Sequence, residues 1–357
     1  MNPFIIGYKR IYEGFNYRLR TFGAERFADY CRPISITLAL TSRCNARCVH
    51  CDIWKNRGPE QTPTAAQWKT VITDLRRWLG PVQVTFTGGE ALMQRFAIDV
   101  IKHAINVGLI VEVLSNGYWN NQERIERLAA ANPWRVTISL DAVGATHSLI
   151  RGRNDFFERT EKSLQTLERM RRELGMKFKI RLKTVVMRQN LAEINQVAKY
   201  AASRAGFEVF YQPIEQNYNT EEDEQWYQSS NNWPKDPLEA VEVVQELIKL
   251  KREGLPIANS YSQLEAMIPY FLDPDRLRLS TESHSAHESR NLCSALTTLE
   301  IRADGDVFSC ARMQLIGNIQ EQGISQIWES RPNWWRSGCC QEKQERPTAN
   351  IASQKGP

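Results

Sequence analysis

The most reactive side chains of this chain gather in one short stretch, Thr41-Ser42-Arg43-Cys44-Asn45-Ala46-Arg47-Cys48-Val49-His50-Cys51. Three thiols spaced C-x3-C-x2-C can face one point from so short a loop. Thiolates are soft ligands that suit iron–sulfur clusters or zinc. The count separates the two. A structural zinc site is normally closed by four ligands, whereas a 4Fe–4S cluster held by three cysteines keeps one iron open to a substrate or cofactor. A non-catalytic zinc site, completed by a fourth ligand from elsewhere, is the rival reading.

A second stretch, Thr87-Gly88-Gly89-Glu90, follows a β-rich run. Two adjacent glycines let the backbone approach a ligand closely. In isolation the same residues read as an ordinary turn with a solvated glutamate.

Together these stretches resemble the radical S-adenosylmethionine (SAM) superfamily. Its cluster loop is C-x3-C-x-Φ-C, and His50 stands where the family usually places an aromatic ring. The resemblance implies that Cys44, Cys48 and Cys51 are the catalytic ligands of a 4Fe–4S cluster. The open iron chelates the amino and carboxylate groups of SAM. One electron from the cluster then yields methionine and a 5′-deoxyadenosyl radical, which abstracts hydrogen from the substrate. Gly88, Gly89 and Glu90 resemble the family's GGE motif, which holds the SAM amino group; Ala91 stands where the family usually continues with proline. Ser115-Asn116-Gly117 and Ser139-Leu140-Asp141 are similar to stretches that touch the SAM ribose and carboxylate. Arg151, in Arg151-Gly152-Arg153, offers a guanidinium fork for a carboxylate, and Gln212-Pro213 would line the SAM pocket. Taken singly, these polar residues read equally well as turn chemistry or surface charge. The resemblance also implies a reductant such as flavodoxin or ferredoxin.

Groups from such distant segments meet only if the elements between them are regular. After Pro33 the chain alternates β-rich runs with amphipathic segments. Strands are expected over 34–40, 82–86, 109–114, 135–140, 177–187 and 207–211. Helices are expected over 65–79, 95–107, 121–131, 155–174 and 192–204. Six such units predict right-handed βαβ connections and a parallel sheet. The fold class is α/β, an open (β/α)6 partial TIM barrel over 34–216, with its reactive groups at the C-terminal ends of the strands. Residues 1–33 form an amphipathic basic and aromatic extension, which packs as a helix on the barrel or contacts a membrane surface. Residues 217–290 are read as a linker, a helix over 237–253 and irregular cover. Residues 342–357 are a loose tail.

The segment 291–341 is a Cys-rich hairpin-plus-helix module. It carries Cys293-x11-Gly305-x4-Cys310, with Ala303-Asp304-Gly305-Asp306 as the hairpin turn and Cys339-Cys340 beyond. It resembles the front half of the SPASM module, in the Twitch form. The resemblance implies one auxiliary 4Fe–4S cluster on Cys293, Cys310 and one or both of Cys339 and Cys340. A zinc-bound or metal-free module is the alternative. His284-x2-His287 reads as solvated loop, Cys31 as a buried free thiol, and His103 and His147 receive no role.

Bulk properties exclude other classes. The 357 residues carry a net charge of +5, and the basic residues are dispersed, which argues against nucleic acid. No run is long and apolar enough to span a bilayer, and no secretory signal leads the chain, so a cytoplasmic setting with reduced thiols is expected. For the substrate, a small molecule or lipid-linked intermediate undergoing oxidation or epimerisation is the first expectation. Maturation or crosslinking of a ribosomally made peptide is the alternative, since 33 residues are too few for a peptide-recognition domain.

Overall fold

The computed structural model describes residues 3–56, 58, 60–221, 223, 225–274, 296–309 and 315–331. Six parallel strands carry the barrel: β1 (Ser35–Ala39), β2 (Gln83–Thr87), β3 (Ile110–Ser115), β4 (Arg135–Ser139), β5 (Lys179–Val186) and β6 (Phe207–Pro213). The helices between them are α2 (Ala65–Leu79), α3 (Ala97–Asn106), α4 (Glu123–Ala131), α6 (Phe156–Glu173) and α7 (Ile194–Ala202). Each expected unit is present. The open sheet matches the expected partial barrel.

Each helix forms for local reasons. In α2, Trp68, Val71, Ile72, Leu75 and Leu79 recur at helical spacing and are buried, while Thr64 and Gln67 close a capping box at its start. Gly80, at φ 77°, ends it. Burying each such large side chain contributes roughly 1.5–3 kcal/mol. This core lies between the outer face of the sheet and the helices.

Three features go beyond the sequence reading. The first is a seven-residue helix, α5 (Ala145–Arg151), between β4 and α6. The second is that the stretch read as irregular cover contains α10 (Tyr261–Glu265) and α11 (Met267–Leu272), packed on α9 (Pro237–Arg252). A short α8 (Trp226–Ser229) precedes them. The third concerns the C-terminal module, expected as a separate unit. Its first strand, β7 (Thr298–Ile301), runs parallel to β1, with Ile36 opposite Leu299. β8 (Asp306–Phe308) and β9 (Leu315–Asn318) follow antiparallel. Among the described residues the sheet therefore has nine strands in the order β6-β5-β4-β3-β2-β1-β7-β8-β9. An open barrel leaves the edge of β1 unpaired, and exposed backbone N–H and C=O groups favour addition of a strand there. α12 (Ile324–Glu329) then packs against α2, with Trp328 fully buried.

The N-terminal segment is one 25-residue helix, α1 (Pro3–Phe27). Tyr8 Oη donates to the Leu79 carbonyl (2.7 Å) and Tyr12 Oη to that of Pro33 (2.8 Å). These contacts place α1 at the N-terminal ends of the strands, the end opposite the cysteine loop. Its outer face leaves Phe4, Ile11 and Phe15 exposed. Among the described residues no helix is long and apolar enough to cross a membrane.

Candidate active site

The cysteine loop leaves the C-terminal end of β1 and is held from three sides. From β2, Gly89 N–H donates to the Thr41 carbonyl (2.7 Å) and Glu90 N–H to that of Arg43 (2.9 Å). A Cβ added at Gly88 would lie 2.3 Å from the Thr41 oxygen, and one at Gly89 2.4 Å from the Arg43 oxygen. Both glycines are thus required by backbone approaching backbone. From α5, Arg47 N–H donates to the Arg151 carbonyl (3.0 Å) and Val49 N–H to that of Ile150 (2.9 Å). Gly152, at φ 70°, lets the Arg47 carbonyl pass. From beyond β6, Asp52 N–H donates to the Tyr218 carbonyl (3.0 Å). Glu60 closes the base of the loop through Thr41 Oγ1 (2.7 Å) and Ser42 N–H.

Cys44, Cys48 and Cys51 share one small pocket with Ala46, Phe156 and Tyr118, and Tyr118 stacks on Phe156 at 4.5 Å. Two donors point at sulfur: Asn116 Nδ2 lies 3.7 Å from Cys44 Sγ and Arg151 Nη1 3.6 Å from Cys48 Sγ. Burial pushes the Cys44 thiol up to about 12 and raises Cys48 and Cys51 as well. Without a metal these groups are neutral thiols at pH 7. Among the described residues no three His, Cys, Asp or Glu side chains converge tightly enough for a single metal ion; a cluster of four irons is wider than one ion and takes its ligands from further apart. Three adjacent thiols, two of them facing hydrogen-bond donors suited to thiolate, fit such a cluster.

Glu90 lies under the glycine turn with 1 % exposure. It accepts hydrogen bonds from Asn116 N–H (2.6 Å) and Leu92 N–H (3.2 Å). Burial outweighs these bonds and lifts its carboxyl to about 7. A folded-state value raised above the ordinary 4.5 gives stability that is full below pH 4.5 and is lost as pH rises through 7. The apoprotein is expected to lose roughly 3 kcal/mol over that window, and Glu90→Gln to flatten the profile. Urea midpoints at intervals from pH 5 to 8 check this; parallel profiles in the two proteins would mean that Glu90 titrates normally.

The remaining predicted residues separate into two groups. Ser115 and Asn116 are buried beside Glu90, and Asn116 also donates to Asn45 Oδ1 (2.7 Å). Asn116 thus links the glycine turn to the cysteine loop. Asp141 is fully buried and accepts from Arg151 Nε (2.7 Å) and from Val185 N–H (3.1 Å). Burial opposes ionisation of Asp141, yet the Arg151 charge holds its carboxyl below the usual range. His147 Nδ1 accepts the Asp141 N–H (3.1 Å), so this ring, kept neutral by burial, adds no charge to the pair. The Arg151 fork therefore faces an internal carboxylate and the Cys48 sulfur. Ser139 lies at the rim with Lys183 opposite it on β5, and Gln212 lies next to Val185. Cys31 is buried, its thiol pushed up to about 11 by desolvation. Cys293, Cys310, Cys339, Cys340, His284 and His287 lie outside the described residues.

Sequence reading missed Asn45, Tyr118 and the charges inside the barrel. Glu112 accepts from Arg135 Nε (2.8 Å), Thr137 Oγ1 (2.6 Å) and Gln83 Nε2 (3.0 Å), and Glu208 pairs with Arg181 (2.6 Å). The signal was present in the alternation Lys179-Ile180-Arg181-Leu182-Lys183, whose apolar residues are buried against helices and whose charged ones are not. The inside of this open barrel is polar.

Comparison with known proteins agrees with this geometry. The radical SAM superfamily model matches residues 38–201, and the iron–sulfur cluster-binding domain SPASM matches 293–349. An AdoMet-dependent heme synthase of Methanosarcina barkeri is 25 % identical over 84 % of this chain and 82 % of its own. A PqqA peptide cyclase of Rhodopseudomonas palustris is 30 % identical over 47 % of this chain, which spans only 44 % of that relative. The crystal structure of Streptococcus suis SuiB bound to S-adenosylmethionine shares the fold, with a TM-score of 0.64 over 88 % of this chain and 69 % of its own, at 14 % identity. With both models matched, the chain belongs to the radical SAM superfamily and is an enzyme of the SPASM-bearing kind.

Proposed function

We propose that this enzyme modifies a ribosomally synthesised peptide, by oxidation or crosslinking that begins with hydrogen abstraction. The observation that carries the choice of peptide is the similarity to the PqqA peptide cyclase, 30 % identical over 171 residues. Cys44, Cys48 and Cys51 would hold the catalytic cluster, and Cys293 and Cys310, with Cys339 or Cys340, one auxiliary cluster. When bound, the catalytic cluster supplies the electron that cleaves SAM to methionine and a 5′-deoxyadenosyl radical.

The chain's own residues prepare that chemistry. Arg151 and Asn116 donate towards the Cys48 and Cys44 sulfurs, which favours thiolate over thiol. Asp141 fixes the Arg151 guanidinium. Gly88 and Gly89 bring β2 against the loop, so that Glu90 lies beside the cysteines as a carboxylate acceptor for an ammonium group. The polar side chains inside the barrel offer hydrogen-bonding groups on the side below the loop.

A small-molecule substrate is the second reading. It is favoured by the heme synthase relative, which this chain matches over most of both lengths. The two are separated by giving the anaerobically reconstituted enzyme SAM, dithionite and, in parallel, short peptides encoded beside its gene or a low-mass cell extract. The expected result is a peptide that loses hydrogen, seen by mass spectrometry, with matching release of 5′-deoxyadenosine. Turnover on the extract with every peptide unchanged would transfer the enzyme to the second reading.

A further inference from the structure

The cations inside the barrel can be accounted for one at a time. Arg135 is engaged by Glu112 and lies 3.8 Å from Glu208. Arg181 is engaged by Glu208, and Arg302 by Glu300 at 3.2 Å. Lys183 is next in the row on β5, two residues beyond Arg181 and one layer nearer the cysteine loop, opposite Ser139. The charges acting on it come from four directions: Glu215 beyond β6, Arg151 of α5, Glu112 of β3 and Asp141 beyond β4. Because Ile180 and Leu182 are buried against the helices, the alternation along β5 turns Lys183 to the inside of the barrel.

None of these groups bonds to it. Glu112 is taken by Arg135, Asp141 by Arg151, and Glu215 is exposed at the rim. Among the described residues no hydrogen bond or ion pair reaches Lys183. Burial accordingly pulls its pKa down, with Glu215 the main opposing charge. A second polar group, on the loop itself, is more fully enclosed. His50 Nδ1 is buried without a partner, and Lys183, Arg151 and Asp141 are the charges that act on it. Lys183 is half-buried, so its ammonium can be reached from solvent, whereas a buried partnerless nitrogen such as His50 Nδ1 is costly unless something pairs with it. The neighbouring buried carboxylates are already committed, which leaves Lys183 free to pair with a group from outside the chain.

We propose that Lys183, together with His50, binds an anionic group of the substrate, a carboxylate or a phosphate, and thereby seats the substrate inside the rim below the cysteine loop. Lysine suits this task as a compact point charge that accepts either anion. The assignment narrows the proposed function, on which its catalytic meaning rests. A peptide would use an acidic side chain or its terminal carboxylate, and a small molecule its own acid group.

Calorimetric titration of the reconstituted enzyme with glutarate, methyl phosphate and the neutral glutaramide tests the site, with and without saturating SAM. The wild type is expected to bind glutarate or methyl phosphate but not glutaramide, and the anion that binds identifies the chemistry. Lys183→Met should weaken that binding by about tenfold or more, while Lys183→Arg should retain it. SAM affinity should be equal in all three proteins. Anion binding that is absent from the wild type, undiminished in Lys183→Met, or lost together with SAM affinity overturns the proposal. Iron content and 5′-deoxyadenosine release from the same preparations keep the two ideas apart: if both are absent, the radical reading fails while the titration still reads Lys183.

Discussion

Replacing Arg151 with methionine is expected to destabilise the apoprotein by about 3–5 kcal/mol, the cost of leaving a buried charge without its partner. Asp141 has no exposed surface, and none of the other groups that bond to it carries a charge. Val185 N–H gives one neutral hydrogen bond, and His147 is neutral with its Nδ1 already accepting from the backbone. The pH dependence gives the diagnosis. In the wild type the depressed Asp141 carboxyl contributes stability above its unfolded value, lost only as pH falls through the lower folded one. Without Arg151 the same burial raises that carboxyl, so the variant's deficit should grow as pH rises from 5 to 8. Asp141→Asn in the same chain should recover much of the loss. Urea midpoints at the two pH values for the single and double variants decide it; a constant deficit, or no rescue by asparagine, would show that Arg151 acts through packing alone. Because Arg151 also donates towards Cys48, the single variant should load less iron even where it is folded.

The second large effect concerns the loop itself. The triple variant Cys44→Ala, Cys48→Ala, Cys51→Ala should lose one four-iron complement and all release of 5′-deoxyadenosine, with iron on the C-terminal module retained. Its apoprotein should stay within about 2 kcal/mol of wild type, because neutral buried thiols contribute mainly packing. Iron and sulfide counts, with a parallel denaturation curve, separate ligand loss from misfolding. Bound zinc in the wild type, or nucleoside release undiminished in the variant, would remove the assignment of these cysteines.

The two predictions differ in how far they were visible beforehand. The gathering of the three thiols was legible outright, since C-x3-C-x2-C needs only a short loop to bring them together. Gly88 and Gly89 were legible as a close approach, but what they approach is the cysteine loop's own backbone. Arg151 was read as a fork for a ligand carboxylate. The carboxylate it holds is Asp141, brought within reach by α5, a helix too short to leave a periodic signature and marked only by Gly144 and Gly152 at its ends.

The sequence alone thus determined the cluster loop, the six βα units and the presence of a second cysteine module, because each rests on local spacing and on periods of two or three to four residues. Tertiary structure decided the rest. The attachment of β7 to β1 depends on an edge that exists only once the barrel stays open. The fate of each interior charge depends on strand register: Glu112 meets Arg135 and Glu208 meets Arg181 across neighbouring strands, while Lys183, one layer higher, meets no committed partner. Alternation along one strand states which face a residue takes, but only the register between strands states what it faces there.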